Sequence, residues 1–141
     1  MEQTMKVQSY LFFEGRCEEA LTFYKKALGA EVGGLMRFKE QPGHCPEGAM
    51  PAGSEDKILH VSFRVGDTEL LASDGYCSGK PNFQGTGQAI TVKTSDEAEK
   101  VFAALSDGGK ILAPIAKTFF SPRFGMVADR FGVMWMVLAE T

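Results

Sequence analysis

The segment 124–137, FGMVADRFGVMWMV, constrains the fold of this chain more than any other. Two strand-like stretches, 126–128 and 133–138, flank a tight polar turn at Asp129, Arg130, Phe131 and Gly132, which is a hairpin signature. In the second stretch Trp135 and Val137 point to one side while Met134, Met136 and Leu138 point to the other, so both faces are apolar. A strand wet on one side alternates with polar residues instead. This segment calls for a sheet covered by helices on one face and curled around a hollow on the other.

With 141 residues, 44% of them hydrophobic, the chain holds one well-buried core or two small, intimately packed modules. A formal charge of −3 with no basic run argues against nucleic acid or an anionic membrane surface as a partner. Residues 1–6 are polar and read as no leader, and no apolar run approaches the ~20 residues that would span a bilayer. Cys17, Cys45 and Cys77 are odd in number and widely spaced, unlike a disulfide framework, so a reduced, cytoplasmic setting is expected.

Taken in order, 6–13 reads as a strand and 17–28 as a helix, with Ala20, Leu21, Tyr24, Ala27 and Leu28 in one stripe and Gly29 as its left-handed stop. Residues 31–38 read as a strand weakened by Gly33 and Gly34. The Pro- and Gly-punctuated stretch 39–56 is a long loop of the kind used as a lid or binding segment. Strands at 58–65 and 69–73 form a hairpin about Gly66 and Asp67, and a glycine-rich linker follows. The pattern then restarts. A strand at 88–93, a helix at 95–105 capped by Ser95, an extended segment at 110–120 interrupted by Pro114 and the closing hairpin repeat the order βαβββ.

The expected fold is therefore α+β, with two βαβββ modules (5–74 and 88–141, joined by linker 75–87) forming one domain over 1–141. Their sheets would make a curved, partly open barrel with the helices outside. This arrangement resembles the vicinal oxygen chelate superfamily of glyoxalase I, extradiol dioxygenases, fosfomycin-resistance enzymes and bleomycin-binding proteins. The residues carrying the resemblance are Phe23 and Tyr24 leading to Leu28, Gly29 and Ala30, and the final strand entered through Asp129, Arg130, Phe131 and Gly132. Ser73, Asp74, Ser78, Gly79, Lys80, Phe119, Phe120, Phe124, Gly125, Val133 and Trp135 narrow it to the PhnB-like branch, also labelled demethylubiquinone methyltransferase-like. Coverage runs from about Val7 to Ala139.

In metal-using members of that superfamily four inward strand positions supply His, Glu or Gln. Carried onto this chain, they fall on Gln8 or Ser9, on Glu69 or Leu71, on Gln88 or Gly87, and on Met136. Only Glu69 is a strong ligand, whereas an open first-row metal site needs about three nitrogen or carboxylate donors. No resident metal is expected. His44, Cys45, His60 and Cys77 offer zinc donor types but lack the paired short spacings of zinc motifs. Gly85, Thr86 and Gly87 precede a strand rather than follow one, so they read as linker and not as a nucleotide-methyl donor site. No cofactor is expected.

His60 shares a strand face with Ser62 and Arg64, opposite Leu59, Val61 and Phe63. His60 and Glu69 are the candidates for acid or base chemistry, with an inert polar strand face as the alternative. The candidate pocket comprises Ser9, Tyr10 (or Phe12), His60, Glu69, Gln88, Phe120, Phe124 and Met136, with Phe119 and Met134 nearby. Most of the eleven phenylalanines must serve as plain core. Three functions follow: a metal-free binder of a small, partly apolar molecule, an enzyme of this fold with a non-standard site, or a dimeric scaffold with a vestigial groove. The resemblance and the open strand edges imply a homodimer, whose modules the superfamily either keeps within one chain or exchanges between two.

Overall fold

The computed structural model describes residues 5–40, 51 and 53–141. The chain divides into two compact units, one ending at Lys80 and the other beginning at Pro81. Among the described residues each unit holds one α-helix and one four-stranded sheet. The first unit contains β1 (Tyr10–Phe12), α1 (Cys17–Leu28), β2 (Glu31–Arg37), β3 (Ile58–Val65) and β4 (Thr68–Ser73), in sheet order β1-β4-β3-β2. The second contains β5 (Gln88–Val92), α2 (Ser95–Ser106), β6 (Lys110–Ala116), β7 (Phe124–Ala128) and β8 (Met134–Ala139), in order β5-β8-β7-β6. In both units the first strand pairs parallel with the fourth and the rest are antiparallel, so the repeat visible in the element order is also one of topology.

Each helix covers one sheet face. Tyr24 of α1 is fully buried and stacks on Phe63 of β3 with ring centroids 5.9 Å apart. Leu11, Phe13, Val61, Leu70 and Ala72 complete that core. In the second unit Phe102 and Leu105 of α2 are buried together with Val127, Trp135 and Val137. The hairpin 124–139 alternates as anticipated: Trp135, Val137 and Ala139 are buried, whereas Met134, Met136 and Leu138 are half-buried. The helix-facing rows alone make the core.

Two buried carboxylates tie the loops. Residues 14–16 provide no capping side chain for α1, and the Arg16 N-cap position makes no side-chain cap bond. Asp74 supplies the missing acceptor from across the sequence, taking N–H bonds from Gly15 (2.9 Å), Cys17 (2.7 Å) and Ile58 (2.7 Å). Glu14 reciprocates, its carboxylate accepting from the Tyr76 and Ser78 amides at 3.3 Å. The Ser73, Asp74 and Ser78 marks of the PhnB-like resemblance thus belong to a structural knot. In the second unit Asp129 accepts from the Phe131 and Val133 amides and from the Trp135 indole Nε1–H (2.8 Å), which sets the turn into β8.

Several boundaries differ from the sequence expectation. Regular β1 is three residues rather than 6–13, although the Leu71 amide still donates to the Ser9 carbonyl at 3.0 Å. The cap of α2 is Thr94, whose side chain accepts from the Glu97 amide, and Ser95 instead donates to the Thr141 carbonyl. β6 runs through Pro114 because it is the outer strand of its sheet, where a missing N–H costs no ladder bond, and a register shift accompanies it. The expected weakening at Gly33 and Gly34 takes the form of a bulge within β2. The 39–56 stretch contributes short 3₁₀ turns at Phe38–Glu40 and Ser54–Asp56, while His44 and Cys45 lie outside the described residues. Gly29 closes α1 at φ 67° as expected. Among the described residues no helix is long and apolar enough to cross a membrane.

Two outcomes follow. Asp129→Ala leaves three buried donors without their acceptor, so urea unfolding should show a loss of about 2–4 kcal/mol. Asp129→Asn should lose less, because its amide oxygen still accepts. Cys17 is fully buried, and burial, followed by the Asp74 and Glu18 charges, pushes its thiol far above the ordinary range. Peptide mapping after iodoacetamide treatment of folded protein at pH 8 should find Cys17 unmodified, with alkylation appearing only in denaturant.

Candidate functional site

Among the described residues the sheet face turned away from α1 is not covered by a second helix of the first unit. Register places its side chains in rows. Tyr10 lies beside Leu71, and Leu71 beside Ser62. His60 lies beside Met36. Arg64 sits between Glu69 and Glu31. The Tyr10 ring reaches across β4 to His60, with its hydroxyl 2.9 Å from Nδ1, and stacks on Phe12 with centroids 4.8 Å apart at 21°. Tyr10, Phe12 and Met36 are 39%, 49% and 39% exposed, so an apolar, ring-rich surface lies open around one polar pair. Partial burial pushes the Tyr10 phenol above its ordinary value, which keeps it protonated at neutral pH.

The polar end of this face is a paired system. Gln8 Nε2 donates to Glu69 Oε1 at 2.9 Å and to the Glu69 carbonyl at 3.1 Å, and Lys6 Nζ lies 3.6 Å from the same carboxylate. The Gln8 hydrogen bond, with Lys6 and Arg64 assisting, holds the Glu69 carboxyl below its usual value. Glu69 is therefore an ionised, already engaged acceptor and a poor general acid.

On the corresponding face of the second unit the central strands β7 and β8 are apolar, with Thr91 beside Leu138 and Lys110 beside Ala128 on the outer strands. Phe124 pairs with Leu138, Met126 with Met136 and Ala128 with Met134, and all of these are half-buried. Phe120, 52% exposed, packs edge-on against Phe124 at 5.0 Å, and Phe119, wholly exposed, against Phe120 at 5.0 Å. A hollow of about 350 Å³ opens beside Met134, walled by Phe83, Pro81, Leu112 and Ala128.

Of the residues anticipated from sequence, Tyr10, His60 and Glu69 share the open face of the first unit, and Phe124 and Met136 that of the second, with Phe120 packed on Phe124. Ser9 is half-buried and falls on the alternate side from Tyr10. Gln88 pairs with buried Trp135, which puts it on the α2 side rather than beside Met136. Gly87 takes the place beside the methionines, where an added Cβ would meet Met134 Cε at 3.1 Å and Met136 Cε at 3.8 Å. Cys77 lines a separate hollow of about 250 Å³ at the start of α1 with Ser54 and Lys57, apart from the face that carries His60. The Tyr10–His60 bond spans fifty residues and had no local signal. Phe83 and Leu112 were likewise unmarked.

These positions test the superfamily's metal. The first unit offers an amide whose nitrogen, not its oxygen, is turned toward the one carboxylate. The second offers Gly87, which has no donor, and Met136, a thioether that suits none of Mn²⁺, Ni²⁺ or Zn²⁺ here. Among the described residues no three His, Cys, Asp or Glu side chains converge. The residues present do not fit the metal.

Residues 5–138 match the model of the 3-demethylubiquinone-9 3-methyltransferase family. The chain is 32% identical over 138 residues to protein YjdN of Escherichia coli K12, a match covering 94% of each. Among solved structures it resembles protein PA1353 of Pseudomonas aeruginosa, with 36% identity, TM-score 0.83 and coverage of 97% and 98%. The PhnB protein of Bacillus cereus is similar at 27% identity, TM-score 0.76 and coverage of 96% and 99%. The fosfomycin resistance protein FosX of Listeria monocytogenes, 10% identical with TM-score 0.65 over 99% and 96% of the two chains, shares the fold alone. With two four-stranded sheets, two helices and a match spanning nearly its whole length, the chain belongs to the 3-demethylubiquinone-9 3-methyltransferase family, the PhnB-like branch of the vicinal oxygen chelate superfamily.

Proposed function

We propose that this protein binds a small, partly apolar molecule on its open sheet faces without a resident metal. One observation carries the reading: the uncovered strand face keeps the exposed side chains of Tyr10, Phe12 and Met36 beside its polar residues in the first unit, and a row of half-buried Phe, Met and Leu side chains in the second. The donor set at the superfamily's metal positions supports metal independence. Met126, Met134 and Met136 give the second face side chains that repack around ligands of different shape.

Exposed Ile111 and Leu112 on the edge strand β6 support a homodimer. The free thiols of Cys17 and Cys77 support a reducing, cytoplasmic setting.

Protein purified without chelator should contain well under one transition-metal ion per chain by elemental analysis. Its melting temperature should stay fixed on adding Mn²⁺, Ni²⁺ or Zn²⁺. Small aromatic ligands at about one hundred times their Kd should raise it by several degrees, from roughly 2.7 kcal/mol of linkage. A stoichiometric metal that raises the melting temperature would refute metal independence, and a flat response to every aromatic would refute the binding role.

A further inference from the structure

The Tyr10–His60 pair narrows the ligand class, on the premise that the open faces do bind small molecules. Their 2.9 Å contact joins the phenolic oxygen to Nδ1, and among the described residues neither side chain meets a second hydrogen-bond partner. Two proton arrangements satisfy this contact. If the phenol O–H donates to Nδ1, the imidazole N–H on Nε2 is left over. If Nδ1–H donates to the phenolic oxygen, the phenol O–H is left over. Either way the pair keeps one unspent donor. Water satisfies it while the face is open, but an apolar molecule covering the face would strand it unless that molecule brings an acceptor.

The surroundings say what kind of acceptor. Lys6 sits 3.6 Å from Glu69, and Arg64 has Glu69 and Glu31 as cross-strand neighbours, so the cations on this face already have anionic company. A ligand anion approaching Arg64 would also meet the Glu69 and Glu31 carboxylates that flank it in register. Tyr10 and Phe12 stack on one another, and an outer face of that stack, with Leu71 and the Met36–His60 pair as register neighbours, is a surface on which a further ring can stack. We propose that the first unit binds a planar aromatic molecule carrying a neutral carbonyl oxygen, with its ring extending the Tyr10–Phe12 stack and its oxygen on the Tyr10–His60 donor. Tyr10 and His60 are then the specificity-determining residues of the face.

The test uses 6-propionyl-2-(dimethylamino)naphthalene, an aryl ketone whose emission reddens when its carbonyl accepts a hydrogen bond, beside 2-(dimethylamino)naphthalene, which lacks the carbonyl. The full-length wild-type protein should bind the ketone about tenfold more tightly. Y10F/H60F removes both donors and should erase that preference while retaining the carbonyl-free probe. Y10F/H60Q, which restores one donor, should recover it in part, and F12A should weaken both probes together. Circular dichroism checks that each variant is folded. Equal wild-type affinity for the two probes would overturn the carbonyl assignment and leave the broader binding role standing. Binding of neither probe would remove both. Tighter binding of 2-naphthoate would transfer the face to anions and overturn the proposal, as would sedimentation showing that F12A dissociates a dimer seated on it.

Discussion

One helix cannot cover both faces of a four-stranded sheet, and everything else in this molecule follows from that limit. Among the described residues each βαβββ unit has a single α-helix, and α1 and α2 each bury one row of strand residues. The other row is left to whatever else is available. In most half-covered sheets that row is polar, because water is the default cover. Here it carries Tyr10, Phe12 and Met36 beside the polar His60, Ser62, Arg64 and Glu69 in one unit, and Phe124, Met126, Met134, Met136 and Leu138 in the other. Apolar surface retained where water is the alternative is the ground for the proposed binding role.

The faces are usable because the loops around them are held from within. Asp74 binds the start of α1 and the start of β3 in one carboxylate, and Asp129 binds the β7–β8 turn and the Trp135 indole in another. Each is nearly inaccessible to solvent and occupied by N–H donors, so each acts as a fixed staple. The contrast with Glu69 is instructive: that carboxylate lies at the edge of the open face, and its partners Gln8 and Lys6 take up the capacity a metal would need.

Local features were legible in the sequence, and non-local ones were not. The 129–132 turn, the Gly29 stop and the two-sided apolar character of β8 each lie within a few residues, where spacing and backbone preference speak directly. The role of Asp74 as cap to a helix 57 positions earlier has no such signature. Thr94 and Ser95 are adjacent hydroxyls with equal capping credentials, and only the fold chooses between them. Gln88 illustrates period two most plainly, since a slip of one residue exchanges the faces, and pairing with Trp135 put it on the helix side. His60 was read on its correct strand face, yet its partner came from another strand two positions away in the sheet.

The chain thus shares the superfamily's architecture while presenting aromatic and thioether surface where metal-using members present ligands. Amide NMR titration tests this most directly. Adding a small aromatic ligand should shift β1, β3, β4, β7 and β8 signals while leaving α1 and α2 largely unmoved, and Mn²⁺ should broaden no resonance selectively around Gln8, Glu69, Gly87 and Met136. Selective, saturable Mn²⁺ broadening at those four positions, with no response to aromatics, would contradict the account.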